Sequence, residues 1–115
     1  MHELPVTESL LEIALRHAKQ ANADRIISLN LVIGQLASVI DDSVQFYWSI
    51  IAKDTPAEGA ILYFRRIPAQ FHCLECDLIY QPGEEIEPCP DCNSSKIEIL
   101  TGREFYLESI EIEWC

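Results

Sequence analysis

Two Cys-x-x-Cys pairs constrain the fold of this 115-residue chain more than any other feature of its sequence. Cys73 pairs with Cys76 and Cys89 with Cys92, and twelve residues separate the two pairs. Two such turns placed side by side present four thiolates as a tetrahedron, the geometry that zinc prefers. Because four sulfurs leave no open coordination position, the spacing predicts a structural zinc site.

The residues around the pairs fit this interpretation. Asp77 and Asn93 directly follow the second cysteine of each pair. A metal-binding turn passes near the left-handed region there, and Asp and Asn tolerate that region best among non-glycine residues. Pro82-Gly83 indicates a chain reversal midway between the pairs. We therefore expect residues 69–102 to form a zinc ribbon.

Other uses of the cysteines are less consistent with the pattern. Disulfides need an oxidising compartment, and a thioredoxin-like site uses one Cys-x-x-Cys pair rather than two. Iron bound as in rubredoxin has the same ligand set, so spacing does not separate it from zinc. Cys115, the fifth cysteine, is best explained as an incidental free thiol, and a further metal ligand is the second reading.

The charge of the chain argues against a nucleic acid or an anionic membrane as its partner. It carries 19 acidic residues against 8 Lys and Arg, a formal net charge of −11, whereas phosphate binding depends on Lys and Arg. The sequence has no apolar run near the ~18 residues of a membrane helix, and its start lacks a signal-peptide pattern. We expect a cytoplasmic protein.

Hydrophobic periodicity predicts two helices. The first begins near Pro5 and closes at residues 21–24, although Ser9-x-x-Glu12 would cap a helix that began one turn later. The second begins at Asp41 or Asp42, which can cap it, and ends at Thr55-Pro56.

Three further segments read as strands. Residues 25–33 alternate, with Ile27, Leu29, Leu31 and Ile33 on the predicted buried side. Residues 61–67 form a second strand and residues 103–114 a third, with a change of phase near Ser109 that suggests a bulge. This order predicts an α+β fold in which two helices pack on a three-stranded sheet, with the four-cysteine zinc ribbon inserted. The expected domains are 1–68 with 103–115, and 69–102.

The first three residues offer a second metal site. Methionine aminopeptidases act only ahead of a small residue, so we expect Met1 to remain in front of His2. The α-amine, the backbone nitrogens of His2 and Glu3 and the His2 imidazole can then surround one ion in a plane, which suits Ni²⁺ or Cu²⁺ rather than zinc. The Glu3 carboxylate lies alongside as a further ligand or a hydrogen-bond acceptor. The alternative is a histidine without function in a frayed terminus.

Other candidate ligands have simpler explanations. His17 is expected at the end of the first helix, where the helix dipole favours it. His72 flanks Cys73 and could donate to a metal-bound sulfur or join a nickel site. Asp41 and Asp42 are best interpreted as caps of the second helix, and metal ligation through their carboxylate oxygens is the second interpretation.

Several motifs taken together resemble the HypA/HybF family. They are Met1-His2-Glu3, Val32-Ile33-Gly34-Gln35-Leu36, Ala57-Glu58-Gly59-Ala60, the paired cysteines, and Ser109-Ile110-Glu111-Ile112-Glu113. The resemblance covers essentially the whole chain and implies a nickel metallochaperone for [NiFe]-hydrogenase maturation. It implies Ni(II) as cargo at Met1, His2 and Glu3, and structural Zn(II) at Cys73, Cys76, Cys89 and Cys92. It also implies a HypB-type GTPase and the hydrogenase large-subunit precursor as partners and, in some organisms, urease maturation proteins.

Two departures accompany the resemblance. The family often has Gly-Glu-Leu where this chain has Gly34-Gln35-Leu36, and glycine where it has Asp77 and Asn93. We expect no enzymatic activity, because the four glycines form no phosphate-binding loop and no Ser/His/Asp arrangement is evident. The alternative function is a zinc-ribbon protein-interaction adaptor without a nickel role. A nucleic-acid-binding ribbon and a thiol redox switch are weaker alternatives.

Overall fold

The computed structural model describes residues 3–39, 41–83 and 87–114. Within these ranges the fold is mixed α+β, with two helices and two three-stranded sheets, which confirms the predicted fold class. The elements are α1 (Glu3–Gln20), β1 (Arg25–Gly34), α2 (Asp41–Ile51), β2 (Ile61–Ile67), β3 (Gln70–Cys73), β4 (Ile79–Tyr80), β5 (Ile97–Thr101) and β6 (Phe105–Glu113). The strand orders are β2-β1-β6 and β4-β3-β5.

Helix α1 forms because apolar residues recur every three or four positions along it. Its buried side chains are Thr7, Leu10, Ala14 and Ala18. The helix is continuous from Glu3, so the later start at a Ser9 capping box is wrong. It ends at Gln20, and two residues later Asn22 adopts a left-handed φ of 56° while the Ala23 N–H donates to the Ala18 carbonyl over 2.9 Å. This is the Schellman arrangement that stops a helix.

Strand β1 is buried more completely than its alternation predicted. Ile27 is 36% exposed, whereas Ser28 and Val32, expected on the open face, are buried. The predicted buried face is therefore wrong at these three residues. At Ser28 a cross-strand contact accompanies the burial, because β1 is the central strand of its sheet and the Ser28 hydroxyl donates to a carboxylate oxygen of Glu111 on β6 over 2.8 Å.

Helix α2 packs against α1 and buries Val44 and Trp48. It ends at Ile51, four residues before the predicted Thr55-Pro56. Polar groups close the turn that follows, because the Thr55 hydroxyl donates to the Ala52 carbonyl over 2.6 Å. Asp41 and Asp42 lie in the first turn of α2, where their negative charges interact favourably with the positive end of the helix dipole and stabilise the helix.

The outer strands of the first sheet follow the sequence pattern. Strand β2 has the predicted bounds, and β6 is two residues shorter at its start than predicted and one at its end. Glu108 and Ser109 are both exposed in β6, which is the predicted change of phase. The bulge itself stays a prediction.

The chain divides into two compact units. The first, here called the helical unit, contains Met1–Val32, Ser38–Arg65 and Tyr106–Cys115. The second, called the cysteine unit, contains Ile33–Ala37 and Arg66–Phe105. The finer domain boundaries at residues 68 and 102 stay a prediction. Neither α1 nor α2 combines the length and apolar character that a helix needs to cross a membrane.

Candidate metal centre

The four paired cysteines converge on one point of the cysteine unit. Their sulfur atoms all lie within 4.8 Å of one another. The Sγ atoms of Cys73 and Cys92 are 3.5 Å apart, as are those of Cys76 and Cys89. A tetrahedral ion with metal–sulfur bonds of about 2.3 Å requires sulfur–sulfur distances of about 3.8 Å. The cluster is therefore the size of a four-sulfur metal site, and its ligand set is consistent with zinc.

Each cysteine pair lies in a turn of its own, and the two turns have the same geometry. The Asp77 N–H donates to the Cys73 carbonyl over 3.0 Å, and the Asn93 N–H donates to the Cys89 carbonyl over 2.8 Å. Asp77 and Asn93 have φ angles of 62° and 58°. The predicted left-handed conformation after each pair is thus confirmed, without glycine at either place.

The second sheet holds the first turn in position. Cys73 is the last residue of β3, the central strand of that sheet, and its N–H donates to the Leu78 carbonyl over 2.8 Å. Phe71 is fully buried and lies opposite Tyr80 on β4, with ring centroids 5.6 Å apart and nearly perpendicular planes. The Tyr80 hydroxyl donates to the Glu87 carbonyl over 2.8 Å. These contacts connect the turn to the small core of the cysteine unit.

The four sulfurs differ in their access to solvent. Cys73 and Cys89, the first cysteine of each pair, are buried, whereas Cys76 and Cys92 are exposed. All four are free thiols, and a sulfur–sulfur distance of 3.5 Å is much longer than a disulfide bond of about 2.05 Å. The four cysteines therefore form no disulfide with one another, and their thiols are available to bind a metal ion.

Hydrogen bonding and burial shift the pKa values of these thiols in opposite directions. Backbone N–H groups, first of all that of Cys76, lower the pKa of Cys73 to about 7. The Leu78 backbone lowers the pKa of Cys76, but the Cys89 thiol and burial outweigh it and raise that pKa to about 12. The Ser94 backbone acts on Cys92 in the same way, and again the neighbouring sulfurs and burial leave its pKa raised. A bound metal ion would stabilise the negatively charged thiolates, which burial and the neighbouring sulfurs otherwise disfavour.

The His72 side chain contacts a residue beside the cysteine cluster and not one of the four sulfurs. Its Nε2 atom lies 3.1 Å from a carboxylate oxygen of Asp77. Asp77 is itself the residue with the left-handed φ angle, so this contact braces the first turn.

The predicted nickel ligands Met1 and His2 lie outside the described residues. Glu3 is described, and it is the first residue of α1, where its carbonyl accepts a hydrogen bond of 2.6 Å from the Thr7 hydroxyl. His17 lies fourteen residues further along the same helix, which at 1.5 Å per residue is about 21 Å. His17 is therefore too far away to share an ion with Glu3. Within the described ranges, the four cysteines are the one group of three or more metal-binding side chains that converge.

The side chain of Gln35 helps to hold the segment between the two cysteine pairs in place, a role that the sequence did not reveal. Its side-chain carbonyl accepts from the Ala69 N–H and its amide donates to the Gly83 carbonyl, both over 2.8 Å. Gly83 lies midway along the segment that joins the two cysteine pairs, so Gln35 fixes the middle of that segment. A carboxylate at this position could make the first bond but not the second. Partners 34 and 48 residues away leave no local sequence signal.

Comparison with known proteins places the chain in a family. Residues 1–112 match a family model described as "Hydrogenase/urease nickel incorporation, metallochaperone, hypA". A hydrogenase maturation factor HypA of Dehalococcoides mccartyi is 43% identical over 113 residues, covering 98% of this chain and 95% of the relative. The corresponding protein of Synechococcus elongatus is 38% identical over 112 residues, covering 97% and 99% of the two chains.

The fold agrees with this match. The solution structure of the Ni metallochaperone HypA from Helicobacter pylori aligns with a TM-score of 0.66 at 24% identity, over the full length of both chains. A second solution structure, of a HypA protein, aligns with a TM-score of 0.71 at 24% identity, over 97% of this chain and 96% of the other. At that identity the likeness is one of fold, whereas the family model covers nearly the whole sequence. The chain belongs to the HypA family of hydrogenase/urease nickel-incorporation metallochaperones, which are maturation factors and not enzymes.

Proposed function

We propose that this chain binds one Ni(II) ion as cargo through Met1, His2 and Glu3 and delivers it during maturation of [NiFe]-hydrogenase. A HypB-type GTPase supplies the energy for transfer, and the hydrogenase large-subunit precursor receives the ion. Urease maturation proteins are further partners in organisms that have urease. The observation that carries this proposal is the match of residues 1–112, including the N-terminus, to a nickel-incorporation family. The expected location is the cytoplasm.

The start of α1 supports nickel binding at the N-terminus. The helix begins at Glu3, and backbone N–H groups in a first helical turn have no acceptor within the helix. The Glu3 nitrogen can therefore serve as a ligand without the loss of a helical hydrogen bond. The positive end of the helix dipole also lowers the cost of removing amide protons there.

The cysteine cluster supports a separate, structural role for Zn(II). Cys73, Cys76, Cys89 and Cys92 would hold zinc with all four positions filled by sulfur, which stabilises the turns that carry them. Thiolates favour zinc, whereas amine, amide and imidazole nitrogens favour nickel. Two sites of different ligand type allow the protein to release one metal and retain the other.

The test is isothermal titration of Ni²⁺ into zinc-loaded, tag-free protein that keeps its native Met1. We expect one equivalent to bind in the micromolar range or tighter, with affinity that rises with pH because the ligands must lose protons. His2→Ala should abolish this binding and leave the zinc content unchanged. His17→Ala is the matched control, since its side chain is about 21 Å from the first turn along the helix.

The result also separates the alternative function. Stoichiometric nickel binding that survives both His2→Ala and blocking of the α-amine would contradict the proposed site. Weak, non-stoichiometric binding by the unmodified protein would leave a zinc-ribbon adaptor that shares the fold of the family.

A further inference from the structure

A buried polar group on α2 has no hydrogen-bond partner. Trp48 is 2% exposed, and its indole Nε1–H finds no acceptor within residues 3–39, 41–83 and 87–114. Such a donor has lost its hydrogen bond to water without a replacement, which is costly, and buried donors in folded proteins are nearly always paired. An acceptor from outside the chain would therefore be favourable at this place.

The same tryptophan forms part of the wall of a cavity. The cavity has a volume of about 190 Å³, and all the residues that line it belong to the helical unit. Its buried lining residues are Trp48, Ala52 and Ala60, and the small size of the two alanines leaves room beside the indole ring. Cavities for drug-sized ligands measure about 300–1,000 Å³. This cavity therefore suits a smaller ligand that has an apolar portion.

Two opposite charges also line the cavity. Lys53 and Glu58 are both exposed, and neither forms an ion pair with another residue that the structure describes. Glu58 accepts a hydrogen bond from the Asp54 N–H through Oε2 alone, over 2.7 Å. The Lys53 ammonium can thus bind an anionic group of a ligand, and the second oxygen of Glu58 can bind a cationic group.

These groups match the two charged ends of a free amino acid. We propose that the cavity binds a free α-amino acid with an apolar side chain. The ligand carboxylate accepts from the Trp48 indole and pairs with Lys53, and the ligand ammonium pairs with Glu58. The apolar side chain packs against the two alanines. A hydrogen bond from the indole to a carboxylate is charge-assisted and therefore among the stronger ones.

Ligands with a single charge fit less well. A simple carboxylate would bring a negative charge near Glu58 and would be repelled by a chain of formal charge −11. A simple amine would leave the Trp48 indole without an acceptor. An amino acid has no net charge, so it avoids the general repulsion and still supplies the acceptor.

The test is a titration of L-leucine into zinc-loaded protein labelled with ¹⁵N at tryptophan. Nickel is left out, because amino acids chelate it. The chain has two tryptophans and hence two indole N–H signals. Trp114 donates its indole N–H to the Ala21 carbonyl over 2.9 Å and is the internal control.

We expect the Trp48 signal to move downfield, since a hydrogen bond to a carboxylate deshields the proton, while the Trp114 signal stays in place. The dissociation constant should be about 1 mM or tighter, as is reasonable for a ligand of this size. A Trp48 signal that does not move at about 20 mM leucine overturns the proposal.

Two leucine analogues test the two charged ends separately. 4-Methylpentanoate lacks the amino group, and 3-methylbutylamine lacks the carboxylate. Each should bind about tenfold more weakly than leucine or worse, because each loses one charged contact. If either analogue binds as tightly as leucine, the assignment to an amino acid is wrong.

Two variants test the residues, followed by the backbone amide signals of α2 in uniformly ¹⁵N-labelled protein. Trp48→Phe keeps an aromatic ring and removes the donor, and Lys53→Met removes the charge. Each should weaken leucine binding about tenfold. Lys19→Met is the matched control, since Lys19 is an exposed lysine in the last turn of α1. Lys53 is exposed, so Lys53→Met keeps the test valid if Trp48→Phe does not fold. An unchanged leucine affinity in either folded variant, or an equal loss in Lys19→Met, overturns the proposal.

Discussion

Gly34 lies so close to Gly102 that a Cβ atom added to Gly34 would be 2.1 Å from the Gly102 carbonyl oxygen. Backbone hydrogen bonds hold the two segments together, since the Gly34 N–H donates to Glu104 over 2.6 Å and the Leu36 N–H to Gly102 over 2.8 Å. The clash would be with backbone, so no side chain can rotate away to relieve it.

Gly34→Ala should therefore lower the free energy of unfolding of the zinc-loaded protein by about 2–4 kcal/mol. Urea denaturation followed by circular dichroism measures the loss. Gly59→Ala is the control: Gly59 has a φ of 79° but open space around it, so only backbone strain of about 1 kcal/mol is expected. Equal losses in the two variants would show that the close contact has no effect.

Zinc affinity should depend on whether residue 93 can adopt a left-handed conformation. Asn93 has a φ of 58°, and a β-branched residue resists that conformation by about 1–2 kcal/mol. Asn93→Val should weaken zinc binding about tenfold, because metal binding and ordering of the turn are coupled. Asn93→Gly should bind as well as the unmodified protein. Competition with a chromophoric chelator measures both, and equal affinities for Val and Gly would refute the conformational cause.

Zinc binding should weaken steeply as the pH falls. Without metal, the raised pKa values of Cys76, about 12, and of Cys92 keep both thiols protonated at neutral pH. The ion must displace at least these two protons, so the dissociation constant should rise about 100-fold or more for each pH unit lost. Cys73, with a pKa of about 7, adds a further dependence mainly below neutrality.

The same competition assay, repeated between pH 6 and pH 8, gives the slope. A slope below two protons would contradict the raised pKa values.

Ser28 and Glu111 should stabilise the first sheet as a coupled pair. The buried Ser28 hydroxyl donates to a Glu111 carboxylate oxygen over 2.8 Å. Glu111→Ala leaves that hydroxyl without this acceptor and should cost about 1–2 kcal/mol of unfolding free energy. A double-mutant cycle with Ser28→Ala should give a coupling of about 1 kcal/mol. Additive effects would mean that the bond contributes nothing to stability.

Features fixed by neighbouring residues could be predicted from the sequence. The end of α1 just before Asn22, the bounds of β2 and the left-handed Asp77 and Asn93 follow from turn chemistry and periodicity over a few positions. The family resemblance indicated the function from motifs spread along the chain. Convergence of the four cysteines was predictable because metal coordination imposes its own geometry.

Features fixed by distant contacts could not be predicted. The burial of Ser28 depends on its place in a central strand and on Glu111, 83 residues away. The role of Gln35 depends on Ala69 and Gly83, and nothing near Gln35 in the sequence indicates either partner. The early end of α2 reflects a polar turn whose side chains compete with further helical bonds.

The four cysteines are unequally buried, and this difference affects the rate at which a bound ion exchanges more than the affinity with which it is held. The full set of four ligands determines the equilibrium, whereas a competing chelator or an alkylating reagent reaches the exposed Cys76 and Cys92 more readily than the buried Cys73 and Cys89. Exchange would then begin with the release of one of these two sulfurs, while Cys73 and Cys89 hold the ion until last. An ion bound at this cluster would in this way survive brief encounters with chelators, and be lost only to a competitor that stays bound.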